Sequence, residues 1–245
     1  MTVTEISAGW TRPDPACGVF ETLAVRDGRV QALDRHLDRL AGAVAELYGH
    51  QLPPGLEARA RGIAGQLVGA HRLRVRAHPE AGELMVRIES EPFASAEPQP
   101  TIILTPVLVP GGLGAYKWCD RRLIDDRSSG GGTPLIVDVS DEVLEAAWAN
   151  VWFVEGDRII TPTADGRLLP GITRLLLLER APELGLTAST EPITLTRARE
   201  ADAIFLTSSL RYAVSAAIDG TPSAHNECPS VPLLSAALSE ACWDV

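Results

Sequence analysis

This 245-residue sequence lacks long apolar runs, paired cysteines and basic clusters, and it has almost no lysine. Apolar runs such as Leu175 to Leu178 fall far short of the roughly 20 residues that cross a bilayer, and the start MTVTEISAGWTRPDP has no basic-then-apolar signal pattern. A cytoplasmic protein with no membrane partner is therefore expected. Cys17, Cys119, Cys228 and Cys242 form no CxxC pair, which excludes a disulfide frame, and the scattered cysteines and histidines offer no metal site. A formal net charge of −10, unrelieved by any Lys/Arg cluster with interleaved aromatics, would repel a phosphate backbone. Nucleic acid is not expected as a partner.

What is present reads as mixed α/β (α+β) in two parts. GVFETLAV and RVQAL flank Arg26-Asp27-Gly28, a hairpin turn signal, and Leu33, Leu37, Leu40, Val44 and Leu47 then recur on one helical face. A second helix is expected over Leu56 to Val68. Leu73, Val75 and Ala77, then Leu84, Val86 and Ile88, alternate on either side of HPEAGE as a second hairpin. Proline and glycine between Glu91 and Gly112 point to a connection over Thr105 to Tyr116, which divides the chain into a smaller domain, 1–108, and a larger one, 109–245. In the second part a short helix, the loop RSSGGGT and the strand PLIVDV precede a hairpin of AWANVWFV and RIITPT around Glu155-Gly156-Asp157. LPGITRLLLLERAPELG is a helix with Pro170 near its start and Gly185 beyond its end. TEPITLTRAREADAIFLTSS reads as strand, short helix, strand.

Lysine occurs once, at position 117 in GGLGAYKWCDRR, and the other 21 of the 22 basic side chains are arginine. Arginine stays protonated, whereas a desolvated lysine amine sheds its proton and attacks a carbonyl. A lone lysine is more often a solvated surface group. Its setting here, a glycine-rich approach in the connection between two domains, is where ligand clefts concentrate.

An amine that holds an aldehyde cofactor points to pyridoxal 5'-phosphate. That cofactor requires an acid beside its ring nitrogen and donors at a helix start for its phosphate. Glu145 stands among apolar neighbours at the entry to AWANVWFV. Gly171, Ile172 and Thr173 open a helix, whose free N–H groups suit a phosphate. Thr207, Ser208 and Ser209 end an apolar strand, and Arg39 in HLDRL can reach an anion. A strand-end acid, a plain capped helix, turn hydroxyls and a solvated flank arginine are the plainer meanings of the same residues.

Taken in order, GVFETLAV, HLDRL, Lys117 with Asp120-Arg121 behind it, Glu145 to Asn150, Thr161-Pro162, LPGITR and FLTSSLR resemble the class IV aminotransferases, the fold type IV pyridoxal-phosphate enzymes. That family includes branched-chain and D-amino-acid aminotransferases and 4-amino-4-deoxychorismate lyases. The resemblance implies a two-domain α/β homodimer. Lys117 would be the Schiff-base lysine and Glu145 the ring-nitrogen partner, with Arg39, Ile172, Thr173 and Ser209 on the phosphate and Ser208 nearby. GVFETL, HLDRL and TSSLR look most like the lyase group, which converts 4-amino-4-deoxychorismate to 4-aminobenzoate and pyruvate in folate biosynthesis. The alternatives are an aminotransferase of branched-chain or D-amino acids and a non-catalytic relative that binds the cofactor. TRPDPACG departs from the family, where a Tyr-Gly-Asp-Gly run usually precedes the Phe-Glu.

Overall fold

The computed structural model describes residues 12–94, 100–128, 132–219 and 231–243. The start of the chain, residues 129–131 of the RSSGGGT loop and Cys228 lie outside the described residues.

The first sheet holds β1 (Val19–Arg26), β2 (Arg29–Val30), β3 (Ala70–Glu80) and β4 (Glu83–Pro92), in the order β2-β1-β3-β4, all antiparallel. Asp27 and Gly28 both take positive φ, 48° and 81°, which is what a two-residue hairpin turn needs. Leu23 and Val25 of β1 and Leu73, Val75 and Ala77 of β3 point to one face. There they bury against α1 (Leu33–Tyr48) and α2 (Leu56–Ala64), including Leu33, Leu40, Val44 and Ala60. The alternation has a consequence for the other face: Phe20 and Thr22 of β1 and Arg72, Arg74 and Arg76 of β3 are left bare of helices.

The second sheet has eight strands in the order β10-β9-β8-β11-β12-β5-β6-β7. In chain order these are β5 (Ile102–Leu108), β6 (Thr133–Val137), β7 (Val143–Ala146), β8 (Asn150–Glu155), β9 (Arg158–Thr161), β10 (Thr187–Thr190), β11 (Ala203–Ser208) and β12 (Tyr212–Ile218). Its helices are α3 (Arg122–Ser128), α4 (Ile172–Arg180), α5 (Leu195–Glu200) and α6 (Val231–Trp243). Both faces of its centre are covered, so its strands are apolar without interruption. Val151, Phe153, Ile204 and Leu206 pack toward α5, while Trp152 and Phe205, stacked 5.7 Å apart, pack toward α4 and α6.

The change of sheet falls between β4 and β5: β5 pairs with β6 and β12 and is built into the second sheet, because Leu104 and Val107 are buried there. Two expectations are corrected. Glu145 is not at the entry to the AWANVWFV strand but inside β7. A turn over Ala147–Ala149, closed by Ala146 N–H donating to Ala149 O at 2.9 Å, separates it from β8. The strand expected from TEPITL ends at Thr190, since Pro192 has no N–H to give and Ile193 turns inward to the core.

Candidate active site

Lys117 is held at the seam of the two sheets by backbone pairing. Lys117 O accepts from Phe20 N–H at 2.9 Å and Cys119 N–H donates to Gly18 O at 2.9 Å, so the lysine segment extends the end of β1 that β2 leaves free. The approach to it depends on Gly112, whose φ is +69° and where a Cβ would lie 2.1 Å from Arg167 O. The Lys117 ammonium stands 5.2 Å from the centroid of the Phe20 ring. Desolvation lowers its pKa to about 8, helped by the Arg39 and Arg121 charges and opposed by Glu21 and Glu145. This is what position 117 gains over arginine: an amine that loses its proton near neutrality.

Glu145 lies on β7, opposite Ile136 of β6, and is 5% exposed. Burial pushes its pKa up to about 8, against the Leu169 N–H, which donates to both carboxyl oxygens at 3.3 Å, and the nearby cations. The loop carrying Leu169 is also held from the other side, by Asn150 Nδ2 donating to Leu169 O at 2.9 Å. A Cβ on Gly171 would sit 1.9 Å from Asn150 Oδ1, so a glycine is required for this clamp.

Gly171 caps α4 without a side-chain bond, and the N–H groups of Ile172 and Thr173 have no partner among the described residues. Thr173 Oγ1 is buried and equally unpartnered. On the opposite wall Arg39 donates through Nε and Nη2 to Glu21 at 2.8 and 2.7 Å, and through Nη1 to Pro170 O at 2.7 Å. His36 Nδ1 donates to Glu21 at 2.7 Å, which leaves Nε2 to accept from Ser209 Oγ at 3.3 Å. Burial acts to raise the Glu21 pKa, but the Arg39 charge and the hydrogen bonds from His36 and Arg39 overturn it and hold the carboxylate at about 2. Burial lowers the His36 pKa, which favours the neutral ring.

Arg39, Lys117, Glu145, Ile172, Thr173, Ser208 and Ser209 all line one cavity of about 720 Å³ that opens to solvent. Thr207, from the same hydroxyl run, also borders this cavity, and its hydroxyl accepts from the buried Trp152 Nε1 at 3.0 Å. Arg174 of LPGITR is internal, donating to Thr161 Oγ1 and Pro162 O at 3.2 and 2.8 Å. Glu21, His36, Asn150 and Arg121 were not singled out from the sequence as site residues. Glu21 carried a signal, because it falls on the buried phase of an alternating strand. His36 lies on the apolar stripe of α1 in the same way. Arg121, which donates to Ala147 O at 2.6 Å, entered the sequence reading only as part of the Asp120-Arg121 pair behind Lys117.

The fold and the cavity define an α/β enzyme whose amine and enclosed carboxyl share a cleft between two sheets. Residues 18–118 and 120–217 match the amino-transferase class IV family, and the chain belongs to it. Curated relatives include branched-chain-amino-acid aminotransferase 6 of Arabidopsis thaliana, 28% identical over 40% of this chain, and branched-chain amino acid aminotransferase 1 of Humulus lupulus, 30% identical over 48%. The matches span only 30% and 31% of those relatives' lengths. Similar solved folds include a Mycobacterium tuberculosis hypothetical aminotransferase bound to α-ketoglutarate and PMP, with TM-score 0.81, 19% identity and coverage of 98% of this chain and 96% of that one. Another is a Legionella pneumophila candidate 4-amino-4-deoxychorismate lyase, with TM-score 0.79, 18% identity and 98% of both chains covered.

Proposed function

We propose that this chain is a pyridoxal-phosphate-dependent lyase, active as a homodimer, that converts 4-amino-4-deoxychorismate to 4-aminobenzoate and pyruvate. The observation that carries it is the opening of the Lys117 amine and the Glu145 carboxyl onto one cavity, beside the uncapped start of α4.

The residues fit the cofactor. The orphaned Thr173 hydroxyl, the free N–H groups of Ile172 and Thr173 and the positive end of α4 provide what a phosphate takes up, with Arg39 and Ser209 beside them. Bound there, pyridoxal phosphate supplies an aldehyde for amines and a ring that stores an electron pair. Glu145, protonated at neutral pH, would supply a proton to the ring nitrogen of the bound cofactor, and the Leu169 N–H would stabilise the carboxylate left behind. Lys117 Nζ would hold the aldehyde of that cofactor and, once freed by a substrate amine, would be the base for the proton on the carbon bearing the substrate nitrogen. A pKa of about 8 lets Nζ accept that proton and return one at physiological pH.

The choice of lyase is supported by the GVFETL, HLDRL and TSSLR pattern and by Arg122 in the place, five residues after the lysine, where branched-chain aminotransferases often carry tyrosine. A second reading, transamination of a branched-chain or D-amino acid with a 2-oxo acid, is supported by the curated relatives. Product analysis decides between them. The lyase releases pyruvate from 4-amino-4-deoxychorismate with no acceptor present. A transaminase converts its cofactor to the pyridoxamine form when given an amino donor alone and makes no 4-aminobenzoate. Light scattering on the purified protein tests the dimer.

A further inference from the structure

Residues 13–17, within the TRPDPACG stretch that departs from the family, lie as a strap along the Lys117 cavity, where Pro13 lines the wall beside Leu113, Trp118, Leu123 and Ile124. The strap closes on itself. Asp14 Oδ1 accepts from Ala16 N–H at 2.9 Å, and the N–H groups of Cys17 and Gly18 donate to Asp14 O and Pro15 O at 3.1 and 3.0 Å. It buries little: Asp14, Pro15 and Ala16 are exposed, and Pro13 and Cys17 are half-buried.

Three side chains from three different elements hold it instead. Asp120 Oδ2 accepts from Asp14 N–H at 2.9 Å, Tyr48 Oη at the end of α1 donates to Pro15 O at 2.8 Å, and Arg76 Nη2 of β3 donates to Cys17 O at 2.9 Å. Pro13 and Pro15 have no N–H with which to join a sheet. The strap meets β1 at Gly18, whose φ is +92° and where a Cβ would lie 2.3 Å from Ala77 O, so a glycine is required at this joint.

Asp120 differs from the other two latches because it also lines the cavity, with its side chain only 2% exposed. Arg122 fixes its orientation, Nε donating to Oδ1 and Nη2 to Oδ2, both at 2.8 Å. A segment with little apolar burial that is held by a few hydrogen bonds opens locally at low cost.

We infer that Asp120 is a positioning residue that latches residues 13–17 as a gate on the Lys117 cavity and so governs how fast ligands enter and leave it. Closed, the gate keeps water from the desolvated amine and carboxyl inside. Only the second readout below rests on the cofactor occupying this cavity.

The gate is read by alkylation of Cys119 and by release of bound pyridoxal phosphate. Cys119 is half-buried, its N–H meets Gly18 O at the foot of the strap, and its thiol shares the surroundings of the Tyr48 hydroxyl with Asp14 and Cys17. Iodoacetamide should therefore reach it faster when the gate lifts, and peptide mass mapping separates it from Cys17, Cys228 and Cys242. In Asp120→Ala both rates are expected to rise about fivefold or more, as for one lost hydrogen bond, with KM raised and kcat within about twofold. Tyr48→Phe removes a single hydroxyl on another element and should raise both rates about threefold. Asp120→Asn keeps an acceptor for Asp14 N–H while removing the charge beside Cys119, and should restore both rates to within about twofold of the wild type. Unchanged rates in Asp120→Ala and Tyr48→Phe would overturn the gate. So would equal rates in Asp120→Asn and Asp120→Ala, which would assign the effect to charge alone. Should Asp120→Ala fail to fold, Tyr48→Phe decides. Borohydride trapping of the cofactor is read separately. With an adduct and unchanged rates only the gate fails; with no adduct the cofactor chemistry fails, and alkylation still decides the gate.

Discussion

Arg39 and Glu21 lock together through two parallel hydrogen bonds, Nε to Oε1 at 2.8 Å and Nη2 to Oε2 at 2.7 Å, while the third arm of Arg39 reaches Pro170 O just before α4. The first sheet, its helix and the loop that opens α4 are thereby tied at one point. Glu21→Ala leaves the Arg39 charge and a buried imidazole uncompensated, and a loss of about 3–5 kcal/mol is expected in denaturant titration. The folded pKa, about 2, lies below the unfolded value of 4.5. The contribution of Glu21 is therefore complete above pH 4.5 and is lost as the pH falls toward 2, an acid limb that Glu21→Gln should flatten.

Lys117→Arg keeps a positive charge and removes the attacking amine. Borohydride should leave no cofactor mass on this variant, and turnover should drop about 10³-fold or more. A variant that still traps the cofactor would show that another amine does the work.

Glu145 and Lys117 give the cofactor-free protein opposed pH dependences. For Glu145 the folded pKa of about 8 lies above the unfolded 4.5, so its contribution is complete below pH 4.5 and is lost as the pH rises through 8. For Lys117 the folded value of about 8 lies below 10.5, so its contribution is complete above pH 10.5 and is lost as the pH falls through 8. Together they place a minimum in stability near pH 8. Glu145→Gln should match the wild type at pH 4.5 and exceed it at pH 9 by on the order of 3 kcal/mol, read by scanning calorimetry. Equal melting temperatures at pH 9 would refute the enclosed carboxyl.

Thr173→Val removes a buried hydroxyl that has no partner among the described residues. Stability should hold or rise by about 1 kcal/mol, because an unmet desolvation cost disappears. Affinity for pyridoxal phosphate should fall about tenfold, or about 1.4 kcal/mol. Loss of stability without loss of affinity would make the hydroxyl a structural group.

Much of this was written locally. The Arg26-Asp27-Gly28 turn, the leucine stripe of α1 and the alternation of Leu73, Val75 and Ala77 specify their elements with neighbours alone, because turn chemistry and periodicity act within a few residues. β5 was less legible: a proline-bearing apolar stretch reads as a connection until parallel partners from distant chain segments cover both its edges. The same holds for Glu145, whose strand is defined by pairing with β6 and not by its own sequence.

The sequence by itself determined which side chains were available for chemistry: one lysine, an acid in an apolar setting and an uncapped helix start. Tertiary structure alone decided that Glu21 would brace Arg39 through a buried carboxylate, and that arginines from β3, from the segment behind Lys117 and from the turn after β11 would gather around one cavity. Residue type fixes what a group can do at any pH, whereas desolvation, pairing and convergence depend on which distant segments fold against it.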